Sequence, residues 1–304
     1  MSGAIKSIIS FVIMISSFFT SLYRGEKWDD SFLGQSFQII SAGEQEKGTV
    51  RVMSFNIRCG DVNGVPMKDR VDIVVKQIKE ISPDSFGVQE ATPEWMKKLS
   101  LRLPQYDWVG VSRDNGKKMP DFAEGEYSAV FYLKSEYKLK DSGTFWLSET
   151  PDEPSYGEGA ACRRVCTWAV LMNKKTKQEY VHVNSHYDHV SEAARVFAAY
   201  KVTDFINEKF SDKKVVFTAD MNTTEKGEAY EKMTENLSDA RLAAERSKAY
   251  GTFHACNPAS HSDYFIDFIL CSKDIRVAEY RTVTRGEDFR FVSDHFPIYA
   301  DIYI

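Results

Sequence analysis

The chain has 304 residues, 43% of them hydrophobic and 13% aromatic, which supplies a sizeable core and excludes a disordered chain. A formal net charge of −5 and a pI near 5.8 exclude a basic coat or packaging protein, while leaving room for an enzyme that meets nucleic acid through a local patch and a metal. Five cysteines, Cys59, Cys162, Cys166, Cys256 and Cys271, form no CxxC pair and no metal-ligand spacing, so they read as small, mostly buried thiols.

Residues 1–24 begin with Lys6, then run without charge from Ser7 to Tyr23 and end at Arg24. This pattern predicts a secretory signal peptide or a retained signal anchor, and so a secreted or membrane-anchored protein. Cleavage after Ser21 would leave Phe19 where a small residue is preferred, so the anchor and a buried N-terminal helix both stay open. Residues 25–48 read as a linker or irregular lead-in. Residues 49–304 contain no further linker, repeat or low-complexity run and are expected to form one domain.

Within that domain a strand is predicted over 50–56, followed by a helix over 70–81 on Val71, Val74, Val75, Ile78 and Ile81, which Pro83 stops. A strand over 85–89 and a helix over 93–103 come next, with Thr92 as cap and Pro93 at the first helical position. Strands are predicted over 127–133, 168–172 and 179–186, then a long helix over 191–210. The apolar run 215–219, in KKVVFTADMN, reads as a short buried strand, and further strands follow over 265–271 and 298–304. Alternating strands and helices imply a layered α/β fold.

The chemistry-bearing residues cluster at the ends of these strands. Asn56, Glu90, His186 (after Asn184), Asp220 and Asn222 stand at carboxyl ends, Glu126 begins a strand, Asp267 lies within one, and Ser293-Asp294-His295 precede the last. Alternation along the strand places Asp220 and Asn222 on one side of its carboxyl end, where α/β sheets place their chemistry. Taken singly, each is an ordinary turn, solvated or core residue. Repetition at successive strand ends is what points to a site. Glu90, Asn56 and Asp294 offer hard oxygen ligands, which suit Mg²⁺ or Mn²⁺ better than zinc. Two histidines with carboxylates nearby supply a base and a phosphate donor, a set fitted to metal-assisted hydrolysis of a phosphate ester.

The motifs SFNIR, VQE, NSHYDH, TADMN, YFIDFIL and SDHFPI, in this order, resemble the endonuclease/exonuclease/phosphatase superfamily with its deoxyribonuclease-I-like fold. The likeness covers about 50–304. The segment TFWLSETPDEPSYGEGAACRRVCTWAVL resembles the compact branch related to the carbon catabolite repressor/nocturnin enzymes. The resemblance implies a four-layer α/β sandwich, two packed and mostly antiparallel sheets flanked by helices, with 49–304 as the catalytic domain. It implies a Mg²⁺-dependent phosphohydrolase, with Mn²⁺ able to substitute. The leading expectation is a phosphodiesterase acting on RNA or DNA as exonuclease or endonuclease. A phospholipid or phosphoinositide head group is the alternative substrate, and a non-catalytic binding protein on the same fold is the remote one.

Residue by residue, the resemblance makes Asn56 and Glu90 metal ligands with Asp294 as a third. It makes His295 the general base oriented by Asp267, leaving base duty open between His295 and Asp220. Asn222 becomes a transition-state donor, and His186 the phosphate-binding histidine with Glu126 as its partner. Arg163 or Arg164, and Arg195 from its helix, become phosphate contacts, with surface ion pairs as the alternative. A binuclear zinc hydrolase is the rival from another class. NSHYDH is one substitution from HxHxDH, but Asn184 removes a needed histidine, and Asn56, Glu90 and 293–295 would go unexplained.

Overall fold

The computed structural model describes residues 38–121, 123–256, 263–285 and 292–304. The expected signal segment at 1–24, and the lead-in as far as residue 37, lie outside them. Residues 38–48 have no regular helix or strand but lie against the body. Ile40 is buried, the Gly43 N–H donates to the Tyr299 hydroxyl at 2.9 Å, and the Glu46 N–H donates to Asp301. Among the described residues, no helix is long and apolar enough to cross a membrane.

In chain order the elements are β1 (Val50–Asn56), α1 (Met67–Ile81), β2 (Ser85–Ala91), α2 (Pro93–Arg102), β3 (Tyr106–Val109), β4 (Tyr127–Leu133), β5 (Tyr137–Trp146), β6 (Val165–Asn173) and β7 (Glu179–His186). They continue with α3 (Glu192–Phe210), β8 (Val215–Asp220), α4 (Glu228–Thr234), β9 (Leu237–Asp239), α5 (Ala240–Ala243), β10 (Arg246–Lys248), β11 (Asp267–Ser272), β12 (Arg276–Thr282) and β13 (Ile298–Tyr303). One sheet has the order β10-β12-β13-β1-β2-β4-β3 and the other β5-β6-β7-β8-β11-β9. Most pairs are antiparallel; β1–β2, β7–β8 and β10–β12 are parallel.

Three apolar layers make this a four-layer sandwich. Val52, Val130, Leu171, Val216 and Ile269 fill the space between the sheets. Val74, Ile78, Trp95 and Leu99 of α1 and α2 pack on the outer face of the first sheet, and Val202, Ile206 and Met233 of α3 and α4 on that of the second. Central strands are covered on both faces, which is why they read as continuous apolar runs and not as alternating ones. Helix ends follow their local chemistry. The Thr92 hydroxyl accepts from the Trp95 N–H, the Ser191 hydroxyl accepts from the Ala194 N–H, and Ser82 closes α1 in the left-handed conformation just before Pro83.

Strand direction is what assembles the site. β1 and β2 run parallel, as do β7 and β8, so Asn56, Glu90, His186 and Asp220 arrive at one rim of the sandwich. β4, β11 and β13 run antiparallel to β2, β8 and β1, so their starts reach the same rim. Those starts deliver Glu126, Asp267 and the 293–295 segment.

Candidate active site

The rim encloses a cavity of about 340 Å³ with one acidic and one basic wall. Glu90, Asp220 and Asp294 form the acidic wall. Glu90 owes its position to strain: the β2–β4 register shifts between Val88 and Ala91, and Glu90 sits at φ 60°. A bulge of this kind re-aims a side chain out of the ladder. Its carboxylate accepts from the Cys59 N–H at 2.9 Å and from Asn56 Nδ2 at 3.1 Å. Burial would raise its pKa, but these bonds from Cys59 and Asn56, with the Arg58 charge, outweigh burial and hold it below the usual carboxylate range. The loop that carries Arg58 and Cys59 is pinned from α1: buried Arg70 donates to the carbonyls of Ile57, Arg58 and Gly60.

Behind the acidic wall runs a carboxylate–imidazole chain. His295 Nδ1 lies 2.8 Å from Asp267 Oδ2, and its Nε2 lies 3.7 Å from Asp220 Oδ2. Burial alone would depress His295, but Asp267 and Asp220 outweigh it and push its pKa up to about 10. Asp220, fully buried, is pushed up to about 7 by desolvation, with Asp267 adding to the rise. Asn56 Nδ2 also donates to Asp220 Oδ2 at 2.9 Å, which ties the chain to Glu90.

Asn222 departs from its predicted placement. β8 ends at Asp220, and Asn222 adopts φ 48° in a turn where its N–H donates to Asp220 Oδ1. Turn geometry, and not strand alternation, therefore brings it beside Asp220. From there Asn222 Nδ2 donates to the Tyr187 carbonyl and lies 2.9 Å from His186 Nε2. His186 Nε2 also stands 3.4 Å from Asp220 Oδ2, while its Nδ1 is buried and has no partner. Burial, then the charges of Arg164 and Arg113, push the pKa of His186 well below its ordinary value, so the ring is neutral.

The expected Glu126–His186 pair is not formed. Glu126 lines the cavity, but both of its oxygens are taken by Arg113, at 2.6 and 2.9 Å. A bidentate guanidinium is a stronger partner for a carboxylate than a neutral imidazole, and Arg113 comes from a loop that strand reasoning does not reach. Among the three arginines expected at phosphate, the cavity takes one. Arg164 is buried in its wall, with Nη2 3.0 Å from His189 Nδ1. Arg163 instead stacks on Tyr156 and pairs with Asp114 at 3.6 Å, and Arg195 donates to the Asp188 carbonyl; both stand outside the cavity lining.

The zinc reading is answered by the same residues. Asp188 of NSHYDH spends its oxygens on the N–H groups of Ala161, Cys162, Val190 and Ser191, and Asn184 faces the seam between the sheets. For a hard cation the donor set does fit. Glu90 and Asp294 offer carboxylate oxygens, and Asn56 adds an amide whose Oδ1 accepts from the Arg58 N–H while Nδ2 faces Glu90. A cation already stands there: the Arg58 guanidinium, 42% exposed, reaches Asp294 at 3.3 Å and Glu90 at 4.0 Å. Asp220, Asp267 and His295 also bring ligand atoms within 4.8 Å of one another. Asp267 and His295 are already bonded to each other there, so the chain is better suited to moving a proton than to holding an ion.

A family model described as the endonuclease/exonuclease/phosphatase family matches residues 53–295. The chain belongs to that family. Among solved structures, a Bacteroides thetaiotaomicron VPI-5482 mannosyl-6-phosphatase is 30% identical, with a TM-score of 0.78 over 84% of this chain and 100% of that one. A Bacteroides vulgatus endonuclease/exonuclease/phosphatase is 35% identical, with a TM-score of 0.77 over 84% and 99%. The human nocturnin catalytic domain, at 17% identity and a TM-score of 0.64 over 88% and 96%, shares the fold. An uncharacterized protein of Acanthamoeba polyphaga mimivirus is 25% identical over 167 residues, 52% of this chain and 60% of that protein, so the match spans less than two thirds of its length.

Six further residues of this family member line the cavity without having been marked as site residues in the sequence: Arg58, Cys59, Arg113, Cys162, His189 and Phe253. Arg58 and His189 carry a signal, since each lies inside a motif, SFNIR or NSHYDH. Arg113 carries none, because a lone arginine in a loop has no periodicity to place it.

Proposed function

We propose that the protein is a divalent-metal-dependent hydrolase that cleaves a small phosphoester by direct attack of water on phosphorus. The observation that carries this reading is the Asp267–His295–Asp220 chain standing beside Glu90 and Asp294 at the acidic wall of one cavity. Asn56, Glu90 and Asp294 would hold Mg²⁺ or Mn²⁺, which supplies charge neutralisation at the phosphate and leaving oxygens. Asp220 Oδ2 takes the water's proton as its oxygen bonds to phosphorus, while His295, held protonated between Asp267 and Asp220, orients the water and Asp220 through Nε2. Asp267 keeps the imidazole turned toward Asp220. His186, with Nε2 engaged by Asn222, directs Nδ1–H at a non-bridging oxygen. The bond from phosphorus to the ester oxygen breaks, and the leaving oxygen is protonated by solvent.

A small substrate is supported by the cavity size, at the lower end of ligand pockets, and by likeness to a chain titled mannosyl-6-phosphatase. The test is a substrate panel with full-length protein and Mg²⁺: mannose 6-phosphate and related sugar phosphates, a phosphoinositide, single-stranded RNA and duplex DNA. Turnover of sugar phosphates at least a hundredfold above the polymers is expected. Preferred cleavage of RNA or DNA would return the substrate to the phosphodiester class that the motifs suggest.

A further inference from the structure

Four nitrogens in the basic wall are buried and carry no hydrogen-bond partner: Nε and Nη1 of Arg164, Nε of Arg113 and Nδ1 of His186. Arg164 is 5% exposed. Its nearest carboxylate, Asp188, stands 3.8 Å away with its oxygens occupied by four backbone N–H groups. Arg113 lies on the same wall, held by Glu126 through both of its terminal nitrogens. Burial, and then the neighbouring charge of Arg113, hold the pKa of Arg164 below its ordinary value. An orphaned buried donor costs about 1–3 kcal/mol and a charged one more, so the wall is arranged for an anion.

Resting on the hydrolase reading, we propose that Arg164, backed by the Arg113–Glu126 pair, recognises the third terminal oxygen of a phosphomonoester dianion and so selects monoesters over diesters. A monoester carries about −1.5 to −2 charge at pH 7 and three terminal oxygens. The metal side takes one oxygen, Nδ1–H of His186, held in place by Asn222, takes another, and the third falls to Arg164. In a diester that third position carries a substituent, which has no charge for the guanidinium and meets the closed wall. The fork of Arg164 suits a phosphoryl group better than a lysine would, because its donors are planar and fixed. Glu126 is a positioning residue here, since it touches Arg113 and no substrate.

The experiment compares para-nitrophenyl phosphate with bis(para-nitrophenyl) phosphate, which share a leaving group, using full-length protein with Mg²⁺. Arg164→Met is expected to lower kcat/KM on the monoester about thirtyfold or more and on the diester less than threefold, with KM for the monoester rising. Glu126→Gln should move the same ratio in the same direction by a smaller factor. Equal losses on both esters, or an unchanged monoester rate, would overturn the proposal. Calorimetry with inorganic phosphate and dimethyl phosphate adds a readout free of turnover: Arg164→Met should weaken phosphate about tenfold and leave dimethyl phosphate unchanged. If the wild type cleaves neither ester, the hydrolase reading fails, while loss of phosphate binding in the variant still supports the anion site. Unchanged phosphate binding overturns that site. Should Arg164→Met melt early, Arg164→Lys, which keeps the charge and loses the fork, carries the same comparison.

Discussion

β7 holds two histidines four residues apart whose surroundings are built in opposite ways. His182 lies in the seam between the sheets, with Nδ1 2.7 Å from the Ser85 hydroxyl and Nε2 2.9 Å from the Thr218 hydroxyl. The network runs on from Thr218 to Asn184 and from Asn184 to Gln89, the Val88 carbonyl and the Ala129 carbonyl. Every ring nitrogen there has a partner. His186 stands two pleat repeats further on, at the rim, where its own Nδ1 and two nitrogens of Arg164 have none. In the seam only Gln89 Oε1 lacks a partner, and the bonded groups fix one arrangement of the core, whereas the cluster of unpartnered donors at the rim holds binding capacity in reserve. The same strand thus supplies scaffold at its middle and recognition at its end.

The largest break in this comparison should come at the rim. Asp220→Asn keeps the shape of the side chain but removes the proton acceptor, and kcat is expected to fall about a thousandfold. Its melting point should be unchanged or higher, because the substitution takes a desolvated carboxylate out of the interior; a variant that unfolds would assign Asp220 to the scaffold instead. Next comes Glu90→Gln. The Mg²⁺ concentration for half-maximal activity should rise ten- to a hundredfold, and a metal titration that overlays the wild type would remove Glu90 from the ligand set.

The seam should answer in stability and not in turnover. Gly87 lies against it, and a Cβ at that position would stand 2.3 Å from both Asn184 Oδ1 and Thr218 Oγ1. Gly87→Ala should therefore cost about 1–3 kcal/mol in denaturant unfolding by overpacking; an unchanged midpoint would mean that the seam can give way. An effect of similar size, confined to acid, is one of pH. Burial pushes the pKa of His182 down to about 3, below its unfolded value of 6.5. The neutral ring is therefore the folded form. Its contribution is complete above pH 6.5 and is lost as pH falls toward 3, by roughly 2–3 kcal/mol at pH 4.5. His182→Gln should flatten the fall of stability between pH 6.5 and 4.5, and an equally steep fall in that variant would place the acid sensitivity elsewhere.

The parts of the fold legible in the sequence were the buried interior strands. β1, β2, β4, β6, β7, β8, β11 and β13 are long apolar runs because both of their faces are covered. The strands that escaped were β3, β5, β9 and β10, all four sheet edges, together with β12 beside the β10 edge. Edges carry lysines and acids: Lys138, Lys140 and Asp141 in β5, and Arg246 and Lys248 in β10. These residues discourage edge-to-edge pairing and erase the apolar signal together. At the site, Asn56, Glu90, His186, Asp220 and the 293–295 segment were legible because strand ends are fixed by strand direction. The partner of Glu126 was not, because Arg113 reaches it from a loop. Nor was the turn at Asn222, whose left-handed backbone breaks the alternation that placed it.

The measurement that bears most directly on the central claim is hydrolysis of para-nitrophenyl phosphate by the full-length protein with Mg²⁺ in heavy-oxygen water. Mass spectrometry of the products shows where the label goes. Attack of water on phosphorus places one labelled oxygen in each inorganic phosphate and none in the alcohol, with release abolished by chelation of the metal. Label in the alcohol, or phosphate release that persists after chelation, would contradict the account.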